Sequence, residues 1–277
     1  IWFGTETGGI NLLNPRRLSI RSYRHDKENL SSLSCNPVNA VYEDKYGTLW
    51  VGTVEGGLNR KEPGSERFTH YTRERGGLSH NSVSALTADR NNRLWVGTWG
   101  GGINWLDLKT PQSVQKVISS QTSNGLPVDF IGALAYDSIN NGVWIGANQG
   151  LYFYDIAKEK LVSPLAGQAA ANVHGCIGSI IDRDGKLWIG CLEGVYIVDL
   201  HSRSAEGEFQ YRHLNYKLDD PDSRLIEKIT CFYEAKDGTL WLGSNGFGIY
   251  KRIIDPEGKE KFVSYNTTHG LPNNSVR

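Results

Sequence analysis

Six of the eight tryptophans in this chain of 277 residues occupy one position of a recurring segment. The segment reads IWFGTETGGIN at Ile1, LWVGTVEGGLN at Leu49 and LWVGTWGGGIN at Leu94. It returns as VWIGANQGLYFYD at Val143, LWIGCLEGVYIVD at Leu187 and LWLGSNGFGIY at Leu240. The tryptophans are Trp2, Trp50, Trp95, Trp144, Trp188 and Trp241, spaced by 48, 45, 49, 44 and 53 residues. A period of this length, kept along the whole chain, makes each copy a supersecondary unit that must bury its apolar surface against the next.

A second element keeps phase with the first. SLSCNPV ends at Val38, GLSHNSV at Val83, GLPVDFI at Ile131 and GLPNNSV at Val276, with weaker copies ending at Ile177 and Ile229. From this Val or Ile to the next tryptophan is 11 to 13 residues each time. The interval holds an apolar run, a turn rich in Asp, Asn and Gly, and a second apolar run, as in VYEDKYGTLW and LTADRNNRLW. That is a hairpin signature. In the copy that starts at Val83 the strands are expected at Val83–Ala88, Leu94–Thr98, Ile103–Leu108 and Val114–Ser119. No helical period of comparable length appears, and no helix longer than two turns is expected. Four short strands repeated about every 45 residues are the pattern of a β-propeller. The fold class is therefore all-β, a propeller of four-stranded antiparallel blades. Residues 1–277 are read as one propeller region of six repeats.

The pairing of tryptophan with glycine follows from the strand pleat. Trp95 and Gly97 share one face and Leu94 and Val96 the other, because alternate residues of a strand point opposite ways. The indole fills the gap between blades, and Gly97 leaves room for the neighbouring blade to approach. The glycines that follow supply positive φ for a tight turn. All six repeated tryptophans are thus expected to be buried between blades.

Composition excludes several classes. Thirty basic and thirty acidic residues give a net charge of zero, so nothing suggests a field suited to a polyanion and no nucleic acid is expected as a partner. No apolar run is long enough to span a membrane. The four cysteines, Cys35, Cys176, Cys191 and Cys231, form no C-x-x-C pair and no zinc spacing with histidine. They read as small buried side chains; a disulfide is open, but the sequence does not choose a pair. No metal, cofactor or catalytic residue is expected. The chain has no methionine and starts at Ile1 in the second strand of a unit, while Val276 starts the first strand of another. The native polypeptide is expected to extend past both ends, with this region part of a seven-bladed or larger array.

The combined pattern, from GLPxNSV through the Asp–Gly turn to LWVGT and GGIN, resembles the regulator-propeller repeat of hybrid two-component systems of Bacteroidetes. The resemblance implies a periplasmic sensor region of an inner-membrane protein. It further implies other propeller repeats and an immunoglobulin-like domain in the same polypeptide, a homodimer, and a histidine kinase outside this chain. Many such sensors respond to oligosaccharides, so an oligosaccharide or other small ligand and control of polysaccharide-utilisation genes are implied here. The fourth and fifth copies lose the second glycine and the GLP signature. The family's ligand residues vary with the ligand and carry over by no motif.

Candidate ligand residues are therefore those that the repeat itself does not require, on loops carried by a rigid scaffold. At the turn tips Trp99 reads as standing where other copies have Glu6, Glu55 and Glu193, and Phe247 adds a second aromatic. The loops leading into each unit offer Asn36, His80, Asn81, Asp129, His174, Arg224 and Asn274. An aromatic face flanked by planar polar groups suits a sugar, whose C–H face stacks on the ring while its hydroxyls are hydrogen-bonded. The alternative for Trp99 is cover for a blade edge, and for the acidic tips a solvated rim. His80, His174 and His213 have no partner at a recognisable catalytic spacing. Two other functions compete with sensing. A propeller lyase or glycosidase needs a converging acid/base pair. A protein-binding scaffold needs an exposed apolar face.

Overall fold

A computed structural model describes residues 2–4, 8–14, 19–122, 125–165, 169–170, 172–214 and 228–276. The chain divides into two compact units, residues 1–136 and 137–277, with the boundary at the end of one strand. Six antiparallel sheets follow one another in chain order. The first has three strands, β1 (Trp2–Gly4), β2 (Ile10–Asn14) and β3 (Ser19–Tyr23). The second has β4 (Val38–Glu43), β5 (Leu49–Thr53), β6 (Leu58–Lys61) and β7 (Phe68–Tyr71). The third has β8 (Val83–Ala88), β9 (Arg93–Thr98), β10 (Ile103–Asp107) and β11 (Lys116–Ile118). The fourth has β12 (Ile131–Asp137), β13 (Gly142–Ala147), β14 (Leu151–Asp155) and β15 (Lys160–Val162). The fifth has β16 (Gly178–Ile181), β17 (Lys186–Cys191), β18 (Gly194–Asp199) and β19 (Tyr211–Leu214). The sixth has β20 (Ile229–Glu234), β21 (Leu240–Ser244), β22 (Ile249–Ile254) and β23 (Glu260–Tyr265).

Each sheet is a meander whose strands lie side by side in sequence order. The fourth strand of the third sheet is shorter than its sequence suggests: Val114 packs on the core from outside the strand, its N–H on the Gly76 carbonyl. The helical content of the described residues is a single 3-10 turn, Thr267–His269.

The pleat builds the stacking. In the first unit Trp50 joins Leu94, Val96 and Leu106 in one buried cluster, so the tryptophan face of sheet two packs on the Leu/Val face of sheet three. Leu49 and Val51, on the other face of β5, pack with Ile10 of sheet one. In the second unit Trp188 packs likewise on Leu240, Leu242 and Tyr250. The second strand of each of sheets two to five is buried on both faces, which is why it reads as a near-continuous apolar run.

The glycine two residues after the tryptophan is the joint between sheets. A Cβ on Gly52 would lie 2.5 Å from Val83 Cγ1, and one on Gly97 would lie 2.8 Å from Ile131 Cγ2. In the second unit a Cβ on Gly190 would meet the Ile229 carbonyl at 2.2 Å. A stitch forms beside the joint in three of the sheets. The second residue of the inner strand bulges out of register in sheets two, three and six. Its side chain then donates to the carbonyl of the next copy's first residue: Asn39 Nδ2 to Val83 at 3.2 Å, Ser84 Oγ to Ile131 at 2.5 Å, Thr230 Oγ1 to Val276. The bulge frees a side chain that the ladder would otherwise face elsewhere.

Four of the repeated tryptophans, Trp50, Trp95, Trp144 and Trp188, are at most 1% exposed. The side chain of Trp2 lies outside the described residues. Trp241 departs from the expectation of burial and is half-buried. Its face of sheet six turns away from the cluster formed by Leu240 and Leu242. It lines an open apolar cavity of about 370 Å³ with Cys231, Tyr233, Ile249 and Val276. A second reason lies in the hairpin. Trp50, Trp95, Trp144 and Trp188 donate through Nε1 to Asp44, Asp89, Asp137 and Asp182 at 2.8–3.2 Å. The corresponding residue before Trp241 is Ala235.

Candidate functional site

The turn after the second strand is bonded to the loop that leads into its own copy. Val54 N–H donates to the Pro37 carbonyl, Trp99 N–H to Ser82 and Asn245 N–H to Lys228. These three bonds align Trp99 with Val54 and Asn245. Glu55, at φ 61°, instead occupies the left-handed position of Gly100, at φ 117°. The sequence reading that set Trp99 on Glu55 and Glu193 is therefore one residue out of register. A glutamate at a position that favours glycine obscured the alignment.

In the first unit the tip of sheet three carries the candidate site. Trp99 pairs across an antiparallel bridge with Phe130, and both rings are exposed, 42% and 55%. Between them Gly100 faces the His80 ring and the Phe130 edge: a Cβ there would lie 3.5 Å from His80 Cδ2 and 3.9 Å from Phe130 Cζ. His80 Nδ1 accepts the Ser82 N–H at 3.0 Å, which puts the imidazole proton of the neutral ring on Nε2, a donor. Gly101 packs on Ser79 Oγ and His80 Cβ, where a Cβ would come within 2.9 Å of both, so only glycine lets the turn pack this close to the histidine. Two exposed aromatic rings with a nitrogen donor close to one of them can stack on an apolar ring face and hydrogen-bond a hydroxyl. Phe130 was missed in the sequence. The signal was there: the equivalent position holds Pro37, Ser82 and Ser275 in other copies, so both aromatics of the pair depart from the repeat at one place.

The lead-in residues Asn36, Asn81, Asp129 and Asn274 share one position and one local role. Asn36 Oδ1 accepts the His25 N–H at 2.7 Å and Asn81 Oδ1 the Arg73 N–H at 2.8 Å. Asn274 Oδ1 accepts the Thr267 N–H at 2.8 Å. Asp129 accepts Ser120 N–H and Oγ–H on its two oxygens, at 2.7 and 2.6 Å. Their carbonyls take up the glycine amides of the preceding turn, Asn81 from Gly57, Asp129 from Gly100 and Gly102, Asn274 from Gly246 and Gly248. These oxygens hold the loops shut. Asn59 and Asn104, fully buried, tie Ser34 and Ser79 of the same loops to the third strands. Glu55 is exposed, with its N–H on Ser82 Oγ at 3.3 Å.

The second unit holds the other candidates. His174 Nδ1 lies 3.5 Å from Glu193 Oε1, an ion pair when the ring is protonated, without hydrogen-bond geometry. His213 stacks on Tyr196 at 4.0 Å between centroids and donates from Nε2 to the Glu193 carbonyl at 3.2 Å. Burial pushes the His213 imidazole below its ordinary range, against the raising effect of the Glu193 carbonyl and charge. Burial pushes the Tyr196 phenol up to about 12. Phe247 stands exposed at the tip of sheet six, its N–H on Ser244 Oγ. Arg224 and Glu6 lie outside the described residues. Among the described residues no group of three or more His, Cys, Asp or Glu is placed to hold a metal ion, and no helix is long and apolar enough to cross a membrane.

Comparison with known proteins identifies the repeat. A family model for the two component regulator propeller matches residues 32–55, 77–100 and 224–246. No curated protein matches the chain by sequence. Among solved structures, the extracellular domain of a hybrid two-component system of B. thetaiotaomicron superposes with a TM-score of 0.73 at 22% identity, over 97% of this chain and 35% of that one. That of a second such system from the same organism gives 0.61 at 20% identity, over 96% and 43%. An ancestral GH74 enzyme gives 0.65 at 14% identity, over 96% and 36%. The chain spans well under half the length of these structures, and at such identities the likeness is one of fold. Three segments of the chain thus match the two component regulator propeller repeat, and the sheet meander, shared in fold with these neighbours, makes the chain an all-β protein.

Proposed function

We propose that this chain is a ligand-sensing part of the extracytoplasmic region of a hybrid two-component system, working in the periplasm. It binds an oligosaccharide without turning it over and passes the event to a histidine kinase outside this chain, which controls polysaccharide-utilisation genes. The observation that carries the reading is the match of its repeats to the two component regulator propeller, a family of signalling proteins. The extracellular domains of hybrid two-component systems with the same fold support it. The ligand chemistry rests on the exposed Trp99–Phe130 pair beside His80. Sugars present flat C–H faces to such rings and hydroxyls to such donors. Screening the chain on a glycan array, then assaying the bound glycans for cleavage, tests both halves. Binding of no glycan defeats the ligand class, and product release defeats the sensor.

A second reading is a glycan-cleaving propeller, favoured by the GH74 likeness. It requires two carboxylates flanking a scissile bond at a set separation. Around Trp99 the one carboxylate described above, Asp129, has both oxygens engaged by Ser120.

A further inference from the structure

In the fifth sheet two thiols meet that no repeat pattern brings together. Cys176 lies in the loop leading into β16 and Cys191 ends β17; both are buried, and their sulfurs are 3.3 Å apart. The backbone holds the two segments together around a bulge. Ile177 N–H donates to the Gly190 carbonyl on one side of the pair, and Leu192 N–H donates to the His174 carbonyl on the other. Sulfurs 3.3 Å apart need only a short closing movement to reach the bond length of a disulfide. Cys35 and Cys231 have no second sulfur beside them among the described residues.

We propose that Cys176 and Cys191 are an oxidisable pair whose disulfide staples the β17–β18 tip, with Leu192 and Glu193, to the loop that carries His174. The pairing follows from the geometry of this chain alone; the periplasmic reading adds a compartment in which such a bond persists. The oxidant is a disulfide, of a small thiol or of an oxidoreductase. One cysteine thiolate attacks it and releases one thiol equivalent, leaving a mixed disulfide. The second thiolate displaces the other half. Two protein thiols lose two protons and two electrons, and one disulfide is reduced to two thiols. In the reduced fold the Cys191 thiol is held far above its ordinary range by the Cys176 thiol and by burial. Oxidation therefore proceeds during folding or local opening rather than in the closed structure.

The test uses the full chain. It is reduced, unfolded, and refolded with and without oxidised glutathione at a fixed redox poise, then alkylated with iodoacetamide and mapped by peptide mass spectrometry. The expected result is a linked peptide joining Cys176 to Cys191, with Cys35 and Cys231 alkylated. The oxidised chain should melt roughly 5–10 °C above the reduced one, since the bond closes a loop of moderate length. The C35S/C231S variant should keep both the link and the shift. The C176S/C191S variant should show neither, and should melt at one temperature with or without oxidant. Alkylation of both Cys176 and Cys191 after oxidative refolding overturns the proposal. So does a link to any other cysteine, or a linked C35S/C231S chain that melts no higher than its reduced form.

Discussion

The indole Nε1 of Trp95 donates to Asp89 Oδ2 at 2.9 Å, inside a core where Trp95 is 1% exposed. The same carboxylate accepts Arg93 Nε at 2.6 Å on that oxygen and the Asn91 and Arg93 amides on the other. One aspartate thus closes the hairpin turn and satisfies the single polar atom of the largest buried side chain. Trp95→Ala is expected to cost about 3–5 kcal/mol through lost burial and a cavity. Asp89→Ala keeps the indole but strands several donors, and is expected to cost about 2–3 kcal/mol. Asp89→Asn, which retains one acceptor oxygen, should cost less than Asp89→Ala. Urea melts of the three variants check this; an Asp89→Ala chain as stable as the parent would show that the turn closes without the carboxylate.

How much of this was legible depends on whether a contact repeats. Trp95 and Gly97 announced their roles because the period places them in every copy, and the pleat fixes which face each takes. That a neighbouring sheet approaches Gly97 followed directly; that Ile131 is the residue that does so came from the structure. The aspartate was visible as a turn residue, but a bond from its carboxylate to an indole six residues on belongs to no strand or helix period. Asn36 and Asp129 read as ligand residues because polar side chains on loops usually face solvent. Their actual partners are amides 11 and 9 residues earlier in loops without a pattern. Phe130 escaped because it had to be compared with Pro37, Ser82 and Ser275 rather than read in its own segment. The meeting of Cys176 with Cys191 needs the bulged register of one loop, which no spacing reveals.

Ala235 tests the aspartate rule in reverse. Its backbone makes the turn bonds of Asp44: Ala235 N–H on Thr239 at 2.8 Å and Gly238 N–H on the Ala235 carbonyl at 2.9 Å. Asp237 has taken over the Thr239 amide, but no carboxylate stands at the position that would face Trp241. Ala235→Asp is expected to give the indole its acceptor and stabilise the chain by about 0.5–1.5 kcal/mol. Thermal melts of A235D against A235N and the parent check this. A gain from A235D in the parent background that disappears in a W241F background would tie it to the indole; an equal gain in W241F would refute the bond.

Gly97 predicts a steric penalty. A methyl there meets Ile131 Cγ2 at 2.8 Å and Ala85 Cβ at 3.4 Å, both core atoms. Gly97→Ala is expected to cost about 1–3 kcal/mol by overpacking. Ile131→Ala in the same chain should recover part of that loss, so that the double variant is more stable than the sum of the singles. Chemical denaturation of all four chains gives the coupling, and strict additivity would mean that the sheets do not close on this glycine.

Acid should weaken the second unit in two stages. The folded His213 imidazole lies below its ordinary value of 6.5, so the unfolded chain binds the extra proton first. Its contribution is fully present above that value and is lost as the pH falls through the folded one. Glu260 sits between Arg212 Nη1 at 3.0 Å and Arg252 Nε at 2.6 Å. Burial raises its carboxyl, but the two guanidinium groups outweigh burial and hold it below 4.5. Its contribution is present above that value and disappears as the pH falls further. Melting temperatures measured from pH 8 to 3 should therefore fall first near neutrality and again in acid. His213→Phe, which keeps the ring against Tyr196, should flatten the first stage alone, and Glu260→Gln the second. An unchanged profile in either variant would remove that residue from the acid response.

The Trp99–Phe130 pair is where stability and function should separate. Both rings are exposed, neither belongs to a buried cluster, and the turn between them is held by backbone bonds from Gly100 and Gly102 to Asp129. Truncating either ring should therefore leave the melting temperature within a degree or two, because exposed side chains contribute little to folding. A glycan stacked on the pair loses an aromatic anchor in each variant. Trp99→Ala and Phe130→Ala are each expected to weaken binding by about 1–3 kcal/mol, as aromatic truncations at binding sites do. Trp99→Phe should recover part of that loss, since a smaller ring still offers a face. His80→Ala tests the donor: it removes the Nε2–H and should weaken hydroxyl-bearing ligands while leaving an aromatic probe without hydroxyls unaffected. Calorimetric titration of the glycan identified on the array, run beside a melt of each variant, makes the comparison. Unchanged affinity in both alanine variants would clear this tip of any part in binding and move the search to the His174–Glu193 loops.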